Sequence, residues 1–277
     1  MSPMRCEVVT AGRLLLSALV PAVIAACEAP SASSPIAGLP AATSSTPVAS
    51  ATPASTASPA TPPAVQVEAM NGASAAPTGS GAYRFRVEVP RLEGRAASVL
   101  AVDATIRGTL QRHLNDFLDV ARDGPAGPAP SDLTCTNRSL RVTARLAVLR
   151  VDCTEYQAGA AHPSTVTHAF NCDLSAGRVL ALQDLFSSGS AYLGVLSTAA
   201  QDQLRSRLGQ ADDQALIQGT GPVVENFKVF LLDRGALVIV FAPYQVAPGA
   251  AGQPEVSIPL ADLQRYLARG VPQLAAG

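Results

Sequence analysis

Residues 81–277 of this 277-residue sequence predict a single α+β domain, mostly antiparallel strands with two or three packed helices. Three observations carry that expectation. Runs such as Tyr83–Val89 alternate apolar and polar residues and stop at Gly- or Pro-bearing turns. One long stretch, Ala97–Arg122, instead repeats its apolar residues at helical spacing. Asp233-Arg234-Gly235 separates two apolar runs and reads as a hairpin turn.

Taken in order, Tyr83, Phe85, Val87 and Val89 form one face of a half-buried strand that Pro90 ends. Ile106, Leu110, Leu114, Phe117 and Leu118 then make one apolar helical stripe, and His113 falls on or beside it as a packed, hydrogen-bonded residue. Leu140–Thr143, Leu146–Tyr156, Thr165–Cys172 and Arg178–Leu182 read as successive strands. A helix follows over about Ser190–Leu208, with Gly209 as its stop. Lys228–Leu232, Ala236–Phe241 and Glu255–Ile258 are the last strands. A short helix through Leu260, Leu263 and Leu267 closes the domain, with the helices gathered on one side.

The segment before the domain has a different chemistry. Arg5 and Arg13 precede an apolar run from Leu14 to Ala26, and small residues stand before Cys27, the layout of a secretory signal. About 13 apolar residues at roughly 1.5 Å each span about 20 Å, short of a bilayer core of about 30 Å. Ile24-Ala25-Ala26-Cys27 resembles a bacterial lipobox. That resemblance implies a cleaved signal peptide over residues 1–26 and a lipidated Cys27, with the membrane as partner through the anchor. Glu28 follows in place of the aspartate associated with inner-membrane retention, which favours the outer membrane. Residues 27–80 are almost entirely Ala, Pro, Ser, Thr and Gly, so they are expected to form a disordered tether or an O-glycosylated stalk.

Without residues 1–26 the chain keeps 18 basic and 20 acidic residues, and Lys228 is its only lysine. No basic stripe or aromatic ladder is present, which argues against nucleic acid as a partner. The motifs G-x-S-x-G, H-E-x-x-H and S-x-x-K are absent, and Asp212-Asp213, the only adjacent carboxylates, lie in a polar stretch that reads as a loop.

Five blocks stand in a recognisable order: Gly159–Pro163, Asn171–Arg178, Leu182–Phe186, Val229–Gly235 and Phe241–Pro248, followed by Gly252 and Val256–Pro259. Together they resemble the extracytoplasmic domain of RsiV-type proteins, a domain of unknown function also found beside peptidoglycan deacetylase domains. The resemblance implies an extracytoplasmic domain that binds a partner, lysozyme in the anti-sigma factor for which the family is named. Ala176 and Gln245 depart from the family's usual threonine and glutamate. Only about 13 residues precede the apolar run and few follow the last block, so neither a cytoplasmic signalling half nor a deacetylase domain is expected.

Candidate site residues follow from these blocks. His162, at a hairpin tip, serves a turn, forms a binding edge or acts in catalysis, though no Ser, Cys or carboxylate stands in a recognisable partner motif. Pro243, Tyr244 and Pro248, with Phe241, are either core and turn or a contact loop of rigid area. Cys153, His162, His168 and Cys172 suggest a metal, but pairing Gln157 with Ser164 puts Cys153 opposite His168. Cys172 is then about 13 Å further along, too far to share a zinc ion, so no metal and no cofactor are expected. In an oxidising compartment a disulfide between Cys135 and Cys153 is preferred, leaving Cys172 as a buried thiol. The expected function is a non-catalytic, membrane-anchored binding domain facing the periplasm or exterior, for lysozyme or a cell-wall glycan. The alternatives are an enzyme acting on peptidoglycan and a structural envelope lipoprotein.

Overall fold

A six-stranded sheet forms the backbone of the molecule, in the computed structural model that describes residues 61–208 and 213–276. Its strands lie in sequence order: β1 (Ala64–Ala73), β2 (Tyr83–Glu93), β3 (Ser131–Val142), β4 (Leu146–Tyr156), β5 (Ser164–Asp173) and β6 (Arg178–Val179). Every neighbouring pair is antiparallel except β2–β3. Those two are parallel because α1 (Ala97–Arg122) carries the chain back across the sheet between them. A second sheet holds β7 (Phe230–Asp233), β8 (Ala236–Val240) and β9 (Glu255–Pro259). The remaining helices among the described residues are α2 (Tyr192–Leu208), α3 (Asp213–Gly219), α4 (Leu260–Leu263) and α5 (Val271–Ala276). The architecture is α+β, with nine strands in two sheets.

β4 explains the layering. Ala147, Leu149, Val151 and Cys153 point to one face and join a core with Ile106, Leu110, Leu114 and Phe117 of α1. Leu146 and Val148 point the other way, into a core with β7–β9 and α2. A strand buried on both faces carries a continuous apolar run, which is what Leu146–Leu149 supplies. α1 therefore covers one face of the large sheet, while the second sheet with the other helices lies on the opposite face, so the helices are not gathered on one side as expected. Asn171 links the two sheets: its amide donates to the Phe230 carbonyl at 2.7 Å and accepts from the Leu232 N–H at 2.8 Å. All three partners are buried, so this amide fixes how β5 meets β7.

The ordered domain starts earlier than residue 81, because β1 lies inside the stretch expected to be tether. An edge strand needs little apolar bulk of its own. Val65 and Met70 reach the α1 core, and antiparallel pairing with β2 satisfies the backbone. Glu68 on β1 pairs with Arg91 of β2 and Arg107 of α1, while Arg91 also holds the mostly buried Asp103 at 2.8 Å. These contacts keep the Arg91 guanidinium charged well beyond its usual range, chiefly through its hydrogen bonds to Asp103 and Glu68.

β2 also runs through Pro90 to Glu93, past the expected stop. β3 leaves β2 at Val87, and the Leu92 N–H points to that open edge, where Asp103 accepts it at 2.9 Å. Pro90 lies two residues before Leu92 and faces the same edge, so its missing N–H breaks no ladder bond. α3 occupies part of the stretch expected to be a polar loop, and α5 adds a helical turn after Gly270. The signal, Cys6 and Cys27 lie outside the described residues, as does Gly209. No helix among the described residues is long and apolar enough to cross a membrane.

Candidate functional site

Two loops from different sheets meet at one surface cleft. The first joins β4 to β5. Ala160 N–H donates to the Gln157 carbonyl at 2.9 Å, and Gly159 supplies a left-handed φ of 88°, so the chain reverses and leaves His162 exposed at the tip. The second loop joins β8 to β9. Phe241 roots it in the core against Phe227, with ring centroids 6.3 Å apart, and the chain then rises to Tyr244.

Gln245 determines the shape of that second loop. Its Oε1 accepts the Ala242 N–H at 3.0 Å, closing the turn over Pro243 and Tyr244. Its Nε2 donates to the carbonyls of Gly219 and Asn226, at 2.9 and 3.0 Å. α3 ends close against this loop: a Cβ on Gly219 would sit 1.9 Å from the Gln245 carbonyl oxygen. Tyr244 is thereby held at φ +66°, a left-handed conformation that costs a non-glycine residue on the order of 1–3 kcal/mol. Tyr244, presented by this strain, is 63% exposed.

The Tyr244 ring rests directly on Gly249, where an added Cβ would come within 2.2 Å of Cζ. Across the cleft the His162 ring lies nearly parallel to it, 26° off, with centroids 6.1 Å apart. Pro163, Thr165, Pro243 and Gly252 complete the walls of a cleft of about 420 Å³. Nδ1 of His162 is 3.0 Å from the Pro163 carbonyl, a contact in which Nδ1–H donates. The cleft thus offers two aromatic faces, rigid proline walls and a few hydroxyl and backbone groups. Such a surface suits a ligand that is apolar on its faces and polar at its rim.

The structure thus brings His162, Pro243 and Tyr244 together. Pro248 does not line the cleft. It precedes the 3₁₀ turn Gly249–Ala251, its carbonyl accepts the Ala251 N–H at 2.9 Å, and its part is to seat Gly249 under the tyrosine. Sequence reasoning missed Gln245 and Gly249 as positioning residues. A polar residue inside the otherwise apolar Phe241–Ala247 run was the available signal for Gln245.

The buried cysteines and the half-buried other histidines form a separate group beneath α1. Cys135 and Cys153 are partners in the β3–β4 register and are joined by a disulfide. The β4–β5 register differs from expectation by two residues. Cys153 faces Val166, and His168 faces Val151, because Tyr156 pairs with β3 and the last β4–β5 pair is Glu155–Ser164. An even shift leaves the same side chains on the same face. His113 packs edge-to-face on His168 at 4.9 Å, but its Nε2 makes no hydrogen bond and lies 3.8 Å from the Glu155 carboxylate. It is packed but not hydrogen-bonded as expected, because the neighbouring core offers it no acceptor at bonding distance.

Burial, with His113 adding a second imidazole, lowers the His168 pKa to about 4. The ligand-type atoms of His113, Cys135 and Cys153 lie within 4.8 Å of one another. The two sulfurs are bonded to each other, so neither is a thiolate able to hold a metal. Cys172 is buried and free, and desolvation pushes its pKa up to about 12, which keeps it an inert thiol.

Fold and cleft together define the class: a two-sheet α+β domain that presents an aromatic surface cleft between a β4–β5 hairpin and a β8–β9 loop. Residues 183–261, which carry Tyr244, Gln245 and Gly249, match the model of the family described as "Protein of unknown function (DUF3298)". A stretch of 101 residues is 37% identical to the peptidoglycan-N-acetylmuramic acid deacetylase PdaC of Bacillus subtilis. That match takes in 36% of this chain and 22% of the enzyme, so the chain spans about a fifth of that relative's length. The immunogenic protein MPT64 of Mycobacterium tuberculosis is 27% identical over 193 residues, 68% of this chain and 79% of that protein. Two solved structures share the fold at 16% identity and a TM-score of 0.58. One is a DUF3298 family protein of Pseudomonas aeruginosa, covering 76% of this chain and 96% of its own. The other is a family member from Bacteroides fragilis, covering 77% and 97%.

Proposed function

We propose that this chain is a membrane-tethered, non-catalytic domain of the cell envelope that binds a cell-wall glycan in the His162–Tyr244 cleft. The observation that carries the reading is the propped Tyr244 ring. A residue 63% exposed is held in a strained backbone by three Gln245 hydrogen bonds and seated on a glycine. Such preorganisation removes the ordering cost from the binding step. Aromatic faces suit the C–H faces of a pyranose ring, while hydroxyls at the ring's edge reach Thr165 and the loop backbone. The lipobox-like Cys27 and the partial likeness to a peptidoglycan deacetylase support an envelope address.

Co-sedimentation of the protein with purified peptidoglycan sacculi tests this. The wild-type protein is expected in the pellet, and Tyr244→Ala is expected to weaken retention at least tenfold, about 1.4 kcal/mol. Capture of lysozyme without retention on sacculi would move the partner to a protein and overturn the reading. Turnover of muropeptides lost in His162→Ala would make the cleft an active site. The anchor is tested separately: Cys27→Ser is expected to leave the membrane fraction.

A further inference from the structure

The aromatic cleft does not end at Thr165 and Ala242. Both residues also line an adjoining cavity of about 230 Å³, so the two hollows form one groove. The second half has a different chemistry. Most of its polar groups are already engaged. The Asn226 amide donates to the carbonyls of Gln218 and Gly221 at 2.9 and 3.0 Å, and Gln245 is held by Gly219 and Asn226. Gln253 and Thr167 bond each other at 3.0 Å, and Thr167 donates to Asp152 at 2.8 Å.

Two charged side chains on this wall stand apart. Lys228, the only lysine of the chain, and Glu225 both line the cavity, both are exposed, and neither has an ion-pair partner within 4.0 Å among the described residues. Opposite charges on one cavity wall, not joined to each other, leave one donor cluster and one acceptor pair for a ligand.

We infer that this half-groove binds the peptide carried by the glycan. The structure assigns a zwitterionic ligand to it, whose carboxylate meets Lys228 and whose ammonium meets Glu225 while a sugar stacks at Tyr244. The inference rests on the glycan reading of the cleft and narrows it to a peptide-bearing glycan. A neutral sugar chain would fill only the aromatic half and leave both charges solvated. A purely acidic chain would meet Glu225 as a like charge and gain little from Lys228. Only a ligand bearing both charges uses the whole wall.

Calorimetric titration with two probes tests this. One is chitotetraose, neutral and peptide-free. The other is a disaccharide–tetrapeptide muropeptide with a free amine and free carboxylates. The muropeptide is expected to bind about tenfold more tightly, with the difference shrinking as salt rises. Lys228→Ala and Glu225→Ala should each reduce that preference to about threefold or less and leave chitotetraose affinity unchanged. Tyr244→Ala should weaken both probes. Equal affinity of the wild-type protein for the two probes, or a muropeptide preference that survives both charge deletions, overturns the inference and leaves the glycan reading standing. Binding of neither probe, or binding indifferent to Tyr244→Ala, overturns both.

Discussion

The ring of Tyr244 lies across the backbone of Gly249, so close that a β-carbon there would come within 2.2 Å of Cζ. Gly249→Ala should therefore displace the ring while altering no side chain proposed to contact the ligand. Sugar retention is expected to fall by about tenfold, because the rotated ring no longer parallels His162. Far-UV circular dichroism and the melting temperature should change little, since Gly249 lies in a surface 3₁₀ turn outside the core. Wild-type binding by Gly249→Ala would show that the orientation of Tyr244 is irrelevant.

Asn171 is expected to be a stability residue that also sets the cleft. Asn171→Ala leaves the buried Phe230 carbonyl and Leu232 N–H without their side-chain partner, at a cost of about 2–4 kcal/mol. Urea denaturation measures the loss. Because the amide links β5 to the sheet that carries the Tyr244 loop, hydrogen exchange in β7 should accelerate more than in β3.

The disulfide between Cys135 and Cys153 closes a loop with a sequence separation of 18, worth about 3 kcal/mol in the chain-entropy description. Both cysteines are buried, so a reductant should act only under partly denaturing conditions. Replacing both by serine should lower the urea midpoint, and the glycan affinity of the folded fraction should not change, since the bridge lies in the α1 core and the cleft does not include it.

Acid should weaken the fold through His168. Its folded pKa of about 4 lies below the ordinary 6.5, so the unfolded chain binds more protons between those values. The contribution is complete above about pH 6.5 and is lost as pH falls towards 4, up to about 3 kcal/mol in all. The groups around it are His113 from α1, Phe170 on its own strand and, beyond His113, Glu155 on β4. A His168→Leu variant should show a shallower loss of stability over pH 4–6.5 in urea titrations.

Much of this architecture was legible in the sequence where packing and local pattern agree. α1 spans Ala97–Arg122 and β4 spans Leu146–Tyr156, the bounds that their apolar periodicity indicates. The Asp233-Arg234-Gly235 turn takes the left-handed backbone that its residues favour, with φ of 48° and 77° at Arg234 and Gly235. β1 was missed although Val65-Gln66-Val67-Glu68 alternates, because that run is short and follows a long Ala/Pro/Ser/Thr stretch; its pairing with β2 reveals it. The β4–β5 register depended on how many residues the Gly159 turn consumes, which composition does not specify.

The candidate site was legible in part, as separate residues. His162 and Tyr244 stood out by type and setting, yet they are 82 positions apart, and no local pattern says that two loops from different sheets will converge. The support beneath them was harder still. Gly249 and Gln245 matter through backbone contacts, and Lys228 and Glu225 through a groove that exists only once the Val224–Phe227 turn, β5 and the β8–β9 loop are in place.

The central claim is that a cell-wall sugar sits on the His162 and Tyr244 rings. Ring-proton NMR of the protein, titrated with chitotetraose, reads those rings directly. Saturable shifts at His162 and Tyr244, with the buried Phe227 ring unmoved, are the predicted result. Saturable binding that leaves both rings unshifted would contradict it.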